Sequence, residues 1–343
     1  MGTRRSTLAV LAIYSLLVTG CAETINHQVS AVAAAGQSIG ADCDIEIVVL
    51  GAGQDAGAPQ IGYYDDPAWH DPSLQQTATS IALIDHPTGS TYLFDAAPHI
   101  GQQLQLLEKT VDLSGRNLGL SGVFLTHAHI GHYAGLMYLG HEAAGTTEVP
   151  VYAMPRMREF LERNGPWEQL VQFRNIDLKH LSDRVSVELG RDVTVTPYRV
   201  PHRDEYSETV GFLIDTAGSR VLYLPDIDSW AEWESEFGVR IEEMIEHVDL
   251  AFIDATFYSD NELPGRDMSK IPHPRVSATM DLLDDLQSTV KSRVHFIHYN
   301  HTNPIRFSDS EETGIVIERG FRVARSGDRH CPPVSEGATT PPR

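Results

Sequence analysis

The histidine-rich run Thr126-His127-Ala128-His129-Ile130-Gly131-His132 constrains this chain more than any other feature of its sequence. It follows an apolar segment, residues 123–125, that is typical of a β-strand. Residues i and i+2 of an extended chain point to the same side, so His127 and His129 can bind one ion together. His132 follows where the chain can turn into a helix over residues 134–140, and it would reach a second position nearby. The run therefore predicts a metal site rather than an ordinary polar loop.

Ligand-type side chains recur directly after other apolar, strand-like segments. These are His202 after residues 193–200, Asp226 after residues 220–224, Asp254 after residues 250–253 and His298 after residues 294–297. A single histidine in such a place is usually structural. Recurrence at several strand ends predicts one site, because loops at one end of a scaffold are where sites are built.

The order of the predicted elements indicates an α/β protein. Strands are predicted at residues 45–50, 80–84, 91–94, 149–152, 185–189, 193–200, 211–215, 220–224, 250–253 and 294–297, with helices at 100–109, 156–164 and 276–286 and one amphipathic stretch at 230–247. Strand blocks are followed by helices in both halves. This arrangement suits two facing sheets with helices outside.

The net charge of the chain limits its possible partners. Lys+Arg number 26 against 47 Asp+Glu, which gives a formal net charge of -21. Such acidity disfavours a nucleic-acid backbone as partner, and its simplest role is solubility. We therefore expect no nucleic-acid partner.

The N-terminus predicts export. Arg4 and Arg5 precede an apolar stretch at residues 8–18, which is shorter than the roughly 20 residues that span a bilayer. The stretch ends in Val18-Thr19-Gly20-Cys21, which resembles a bacterial lipoprotein signal with Cys21 as the lipidated residue; a plain secretory signal cut elsewhere is the alternative. We predict a signal at residues 1–21, a flexible tether at 22–40, a folded domain at 41–330 and a loose tail at 331–343. The membrane is then contacted only through the lipid anchor, at the periplasmic side or the outer membrane.

Two cysteines remain once Cys21 is set aside. Cys43 and Cys331 lie at opposite ends of the folded region. In an oxidising compartment they can form a bridge, and otherwise they are two free thiols. The sequence leaves both alternatives open.

The series of strand-end ligands resembles the metallo-β-lactamase fold superfamily. Its signature is a His-x-His-x-Asp-His run, then a distant His, an Asp and a last His, each after a strand. Within that superfamily the chain is most similar to the pyrroloquinoline-quinone biosynthesis protein B group. The segments that carry this likeness are Gln54-Asp55-Ala56-Gly57-Ala58-Pro59-Gln60, Leu125-Thr126-His127, and Ile297-His298 with Thr302-Asn303-Pro304. The resemblance covers residues 45 to 325 and implies an αββα sandwich of two facing mixed β-sheets, with metals in a cleft at one edge.

The resemblance also implies a ligand set. It assigns His127, His129 and His202 to a first metal, and His132, Asp226 and His298 to a second, with Asp226 able to bridge both. Three neutral imidazoles leave a position open for water, as in a catalytic zinc site. A bound ion lowers the pKa of that water from about 15.7 towards about 7, so that hydroxide can attack a carbonyl or phosphoryl centre. One or two zinc ions are expected, with iron or manganese as possible substitutes.

The chain departs from the signature at Gly131, where the superfamily has aspartate. Three outcomes follow: one metal only, a weak second site, or a carboxylate supplied from elsewhere. Asp55 is the candidate for that carboxylate, because its loop follows the first strand. We expect Gly131→Asp to raise the occupancy of the second site.

The leading hypothesis is a metal-dependent hydrolase, with Asp226 and Asp55 as catalytic carboxylates, acting on a small-molecule ester, amide or phosphoester. The alternatives are a non-catalytic metal-dependent carrier related to quinone-cofactor biosynthesis, and an iron oxidoreductase. Asp254 is expected to orient a ligand histidine. His273 and His301 either line the cleft or belong to a rigid proline loop and a capped turn. Tyr63, Tyr64 and Trp69 are candidates for an apolar wall.

Overall fold

The computed structural model describes residues 43–190, 193–216 and 218–332. The predicted signal at 1–21 and the predicted tether at 22–40 lie outside these residues, as does the tail beyond Pro332. Across the part of the chain that is described, no helix combines the length and the apolar character needed to cross a bilayer.

Fourteen strands form two seven-stranded sheets within the described residues. The strands are β1 (Ile45–Gly51), β2 (Ser80–Asp85), β3 (Ser90–Phe94), β4 (Gly122–Phe124), β5 (Val149–Ala153), β6 (Ile176–His180), β7 (Val187–Gly190), β8 (Val193–Arg199), β9 (Val210–Asp215), β10 (Arg220–Leu224), β11 (Leu250–Asp254), β12 (Val294–Ile297), β13 (Arg322–Val323) and β14 (Arg329–His330). The first sheet has the order β14-β1-β2-β3-β4-β5-β6, and the second has the order β13-β12-β11-β10-β9-β8-β7. Both sheets are mixed, as the family resemblance implied.

Helices cover the outer faces of the two sheets. They are α1 (Ile100–Leu107), α2 (Ile130–Tyr133), α3 (Pro155–Arg163), α4 (Trp167–Gln172), α5 (Trp230–Phe237), α6 (Ile241–Glu246), α7 (Val276–Leu282), α8 (Ser288–Lys291) and α9 (Glu311–Glu318). Short 3₁₀ helices lie at Pro67–Trp69, Pro72–Leu74, Arg116–Gly119, Ala134–Leu139, Met268–Lys270 and Pro304–Arg306.

Alternation along β1 shows how the layers are built. Ile47 and Val49 pack in the core that the two sheets share, whereas Val48 and Leu50 pack in the core beneath α1, α3 and α4. Successive side chains of a strand point to opposite faces, so one apolar strand serves two cores. The result is the αββα sandwich that the resemblance implied, and this prediction is confirmed.

Strand direction brings the functional loops to one edge. β3 pairs with β4 in parallel, and β10, β11 and β12 are parallel neighbours. β1 is antiparallel to β2, which is antiparallel to β3, so β1 also ends at this edge. β8 reaches the same edge of the second sheet by the corresponding route through β9. The loops that follow these strands therefore meet.

Several element boundaries differ from the predicted ones. The amphipathic stretch at 230–247 is two helices, because Gly238 ends α5 in a left-handed conformation (φ 67°), which glycine adopts without steric cost. The helix predicted at 134–140 is a 3₁₀ helix, and α2 begins earlier, so His132 lies within α2. The elements α4, α8, α9, β6, β13 and β14 were not predicted; β6 has only one buried residue and so lacks a clear apolar pattern.

A disulfide joins Cys43 to Cys331, with their Cα atoms 5.7 Å apart. It resolves the two alternatives that the sequence left open. Beside it, Arg329 of β14 pairs with the buried carboxylate of Glu46 in β1. Cys331, placed by the sequence at the start of a loose tail, is thus held against the first strand.

Acid should weaken the fold through His295 and His330, whose ring centroids lie 4.7 Å apart at the contact between the sheets. Burial, helped by the charge of His330, lowers the pKa of His295 to about 3, and burial lowers the pKa of His330 to about 4. The unfolded chain protonates these imidazoles below about pH 6.5, while the folded chain does not until pH approaches the lowered values. The free energy of unfolding should therefore fall as pH decreases from about 6.5 to 4, by about 2 kcal/mol at pH 5 from His295 alone.

Urea unfolding of the wild type and of His295→Gln, at pH 7.5 and pH 5, measures this contribution. The wild type should lose about 2 kcal/mol more than the variant on acidification. His180→Gln, at an exposed position, serves as the control and should behave like the wild type. Equal pH dependence in His295→Gln and the wild type would contradict the prediction.

Candidate metal centre

Four ligand-type atoms from three loops meet at the converging edge. His127 Nε2 lies 2.8 Å from His129 Nδ1, which lies 3.1 Å from His202 Nε2. Asp226 Oδ2 lies 3.3 Å from His127 Nε2 and 3.3 Å from His202 Nε2. The loops after β4, β8 and β10 supply these residues, as the sequence predicted for strand ends.

These spacings fit a metal ion. Zinc is bound by nitrogen and oxygen at about 2.0–2.2 Å in a tetrahedron, whose edges are then about 3.3–3.6 Å. Lone pairs on neutral imidazoles repel one another at such distances unless a proton or a cation lies between them. The group of His127, His129, His202 and Asp226 can therefore hold one ion.

A second group lies beside the first and consists of Asp55, His132 and His298. Asp226 Oδ2 lies 3.6 Å from His132 Nε2 and 3.8 Å from His298 Nε2. Both of these nitrogens are buried without a hydrogen-bond partner among the described residues. An unsatisfied buried polar atom costs about 1–3 kcal/mol, and a cation between these nitrogens would remove that cost. Asp226 faces both groups and can bridge two ions.

Gly131 explains how Asp55 reaches this group. A Cβ built on Gly131 would lie 2.4 Å from Asp55 Oδ1 and 2.6 Å from Asp55 Cα. Asp55 itself has a positive φ of 34°, which brings its loop over the start of α2. A side chain at position 131, including the aspartate of the superfamily signature, cannot coexist with Asp55 in this position. The structure therefore opposes our expectation that Gly131→Asp alone would fill the second group.

The outward nitrogens of four histidines are held by side chains that the sequence analysis did not assign. The contacts are His127 Nδ1 to Thr126 Oγ1 (2.9 Å), His132 Nδ1 to Asp95 Oδ2 (2.7 Å), His202 Nδ1 to Asp228 Oδ1 (2.6 Å) and His298 Nδ1 to Thr256 Oγ1 (3.0 Å). Such contacts turn the other nitrogen of each ring towards the centre. Asp95 could have been found from the sequence, because it follows the end of β3 in the way that Asp226 follows the end of β10.

Asp254 is connected to His298 through Thr256. The hydroxyl of Thr256 lies 2.8 Å from Asp254 Oδ1 and contacts the His298 ring. Asp254 also accepts hydrogen bonds from the backbone N–H of Ile227 (3.0 Å) and lies 2.8 Å from His273 Nδ1. Its oxygens are thus engaged by protein donors. Although Asp226, Asp254 and His273 are close enough to hold an ion, these hydrogen bonds already account for the position of Asp254.

Burial and mutual charge set the protonation of the centre. Burial lowers the pKa of His127 well below its ordinary value, which favours the neutral imidazole that binds metal. Burial alone would raise the pKa of Asp226, but His202, His298 and His273 hold it well below its usual range. Burial likewise opposes the charge on His202, yet Asp226 and Asp228 raise its pKa to about 10. The centre therefore favours positive charge between His202 and Asp226, which a bound metal ion would supply.

A cleft of about 320 Å³ opens beside these groups. Asp55, His273 and His301 line it together with Tyr63, Arg203 and Arg266. The rings of Tyr63 and His301 lie 4.1 Å apart. His273 and His301 thus face the cleft, one of the two alternatives that the sequence left open. Tyr64 and Trp69 are not among its lining residues and contact each other instead, with ring centroids 6.1 Å apart.

Comparison with known proteins gives a family match. A family model described as "Beta-lactamase superfamily domain" matches residues 90–299, more than half of the chain. The chain is 27% identical to Coenzyme PQQ synthesis protein B of Rhizobium meliloti (strain 1021) over 83% of this chain and 97% of that protein. It is 24% identical to the protein of the same name from Methylorubrum extorquens (strain PA1) over 82% and 98%, respectively.

Solved structures share the fold. Zinc-bound PqqB from Methylobacterium extorquens superposes with a TM-score of 0.66 at 22% identity, over 83% of this chain and 99% of that one. A diphosphatase from the PhnP family superposes with a TM-score of 0.59 at 20% identity, over 83% and 96%. At these identities the likeness shows the fold alone.

Proposed function

The chain belongs to the beta-lactamase superfamily, and we propose that it is a metal-dependent hydrolase. Its substrate in this proposal is a small molecule with an ester, amide or phosphoester bond. The cofactor is one or two zinc ions, with His127, His129 and His202 as ligands of the first and Asp55, His132 and His298 as ligands of the second. Asp226 is the carboxylate shared between them.

One observation carries this proposal: the 2.8–3.3 Å spacing of His127 Nε2, His129 Nδ1, His202 Nε2 and Asp226 Oδ2. These four atoms are imidazole nitrogens and a carboxylate oxygen, which are the ligand types that zinc takes, and they lie within reach of one ion. The open cleft beside them supports catalysis over structure, because a structural zinc is closed to solvent. A diphosphatase from the PhnP family has the same fold.

Different side chains would have different roles in the proposed hydrolysis. When bound, the ion supplies Lewis acidity and lowers the pKa of water from about 15.7 towards about 7. Asp226 and Asp55 would balance the positive charge, and Asp55, which lines the cleft, can orient a water molecule. His273 contacts Asp254 through Nδ1 and lines the cleft, so its Nε2, which has no partner among the described residues, can hydrogen-bond the departing group. Thr126, Asp95, Asp228 and Thr256 keep the imidazoles in place.

Metal removal and restoration test the proposal. Chelator-treated protein should lack turnover of 4-nitrophenyl butyrate, bis(4-nitrophenyl) phosphate and a chromogenic lactam, and added zinc should restore hydrolysis of at least one of them. Manganese and iron(II) form parallel arms that identify the preferred ion. Protein with a full complement of metal and no turnover of any class would contradict the hydrolase.

A non-catalytic carrier related to quinone-cofactor biosynthesis is the second candidate. The names of the curated relatives favour it, since they are coenzyme PQQ synthesis proteins. The same experiment separates the two: a carrier retains stoichiometric metal but releases no product from any substrate class.

We also propose that the protein is exported and tethered to the cell envelope through Cys21. The Cys43–Cys331 disulfide supports this location, because disulfides persist in oxidising compartments. Cys21→Ser should move the protein from the membrane fraction to the soluble periplasmic fraction. A wild-type protein that fractionates with the cytoplasm would contradict the proposal.

A further inference from the structure

Two arginines line the cleft beside the metal centre, Arg203 and Arg266. Their presence is informative because acidic residues outnumber basic ones by 47 to 26 in this chain. An arginine on so acidic a surface readily finds a carboxylate partner. Arginines that face a cleft without one are available to a ligand.

The guanidinium of Arg266 has no ion-pair or hydrogen-bond partner among the described residues, while its backbone N–H donates to Leu263 O. Arg203 makes only a 3.4 Å contact with Glu205, and 57% of its side chain is exposed. Arg275, from a neighbouring segment, is different: it donates to Asp260 Oδ1 and to His273 O, both at 2.7 Å. Arg275 is thus structural, whereas Arg266 and Arg203 keep free donors.

Uncharged residues of the cleft lining also keep hydrogen-bond donors available. Gln54 Oε1 accepts from Asn300 Nδ2 at 2.6 Å, and Asn300 Oδ1 accepts from the backbone N–H of Thr302 at 3.0 Å. Both amide oxygens of this pair therefore already accept a hydrogen bond. The amide N–H donors of Gln54 have no partner among the described residues and are available to a ligand. Both ring nitrogens of His301 lack a hydrogen-bond partner among the described residues. Asp55, the one acidic side chain of the lining, belongs to the second metal group.

We propose that the cleft binds its substrate through an anionic oxygen group, a carboxylate or a phosphate, held by Arg266 together with Arg203. The planar guanidinium forms paired hydrogen bonds with either group. The anion occupies the donor-rich wall and the scissile bond lies at the metal centre. This inference rests on the proposed hydrolase and narrows its substrate class.

Three esters with the same leaving group test it: neutral 4-nitrophenyl butyrate, mono-4-nitrophenyl succinate and 4-nitrophenyl 3-phosphonopropionate. The wild type should prefer an anionic ester in kcat/KM by about tenfold or more, chiefly through KM. Arg266→Gln should bring this ratio close to one. The matched control Arg240→Gln removes an exposed arginine that pairs with Glu242, and it should keep the wild-type ratio. The two anionic esters distinguish carboxylate from phosphate recognition.

An unchanged ratio in Arg266→Gln, or no preference in the wild type, would overturn the proposal. If no ester is hydrolysed, the hydrolase proposal fails for esters, and binding decides the anion proposal separately. Calorimetry of zinc-loaded protein then measures the binding of succinate, 3-phosphonopropionate and neutral butyramide. Weaker anion binding by Arg266→Gln than by the wild type would support anion recognition, and equal binding would overturn it.

Discussion

Replacing Asp226 by asparagine should cost the protein its second ion, weaken the first and lower kcat/KM by about a thousandfold or more. Asp226 Oδ2 is the oxygen within 3.3–3.8 Å of His127, His202, His132 and His298. Asparagine has the same shape but no negative charge, so it cannot balance two cations in a buried site. The nearly complete burial of Asp226 leaves water little access to replace the lost ligand.

Elemental analysis and turnover of the most active substrate measure this effect together. Asp215→Asn is the matched control, because Asp215 ends β9 at the opposite edge and pairs with Arg220 at 2.7 Å. Loss of that partly exposed ion pair should cost at most about 1 kcal/mol of stability and no metal. An Asp226→Asn protein with two ions and wild-type turnover would refute the bridging role.

Removing the carboxylate at position 55 should abolish binding of the second ion, and placing a carboxylate at position 131 instead should restore it. Asp55→Asn should weaken the second site by at least about a hundredfold, because even an outer contact of a ligand is worth 10–100-fold. Gly131→Ala should have a similar effect, since its Cβ would lie 2.6 Å from Asp55 Cα, and such an overlap costs about 1–3 kcal/mol. The double variant Asp55→Gly with Gly131→Asp should recover the second ion. Glycine at position 55 lets the loop shift, and the carboxylate returns to the position of the superfamily signature.

Zinc titration of the wild type, Asp55→Asn, Gly131→Ala and the double variant measures the occupancy of the second site. Gly314→Ala is the control for adding a methyl group, because nothing lies within 4 Å of a Cβ there. It should retain both ions and gain up to about 1 kcal/mol from helix propensity. Full second-site occupancy in Asp55→Asn would show that Asp55 is not a ligand. A double variant with no second ion would show that position 131 cannot replace it in this chain.

The sequence predicted the architecture because its strands alternate and end in distinctive side chains. β1, β10, β11 and β12 lie within a residue or two of their predicted bounds. Apolar runs of this kind are dictated by burial on both faces of a sheet, so they are visible without tertiary information. The family resemblance, carried by the run at 126–132, is confirmed by the match over residues 90–299.

Features that depend on contacts between distant segments could not be predicted in the same way. The proximity of Asp55 to Gly131 is one, because 76 positions of chain separate two residues whose atoms would overlap if a Cβ were added. The sequence analysis nominated Asp55 from the position of its loop, but only the packing shows why Gly131 must lack a side chain. The contacts of Asp95 and Asp228 with histidines are a second case, since an aspartate after a strand gives no sign of whether it faces a metal or a ring nitrogen.

Anomalous X-ray scattering from crystals of the zinc-loaded wild type, collected on both sides of the zinc edge, tests the central claim most directly. Two zinc peaks are predicted, one among His127, His129, His202 and Asp226 and the other among Asp55, His132, His298 and Asp226. No peak at either group would contradict the metal centre, and a second ion held without Asp55 would contradict the exchange of carboxylates between positions 131 and 55.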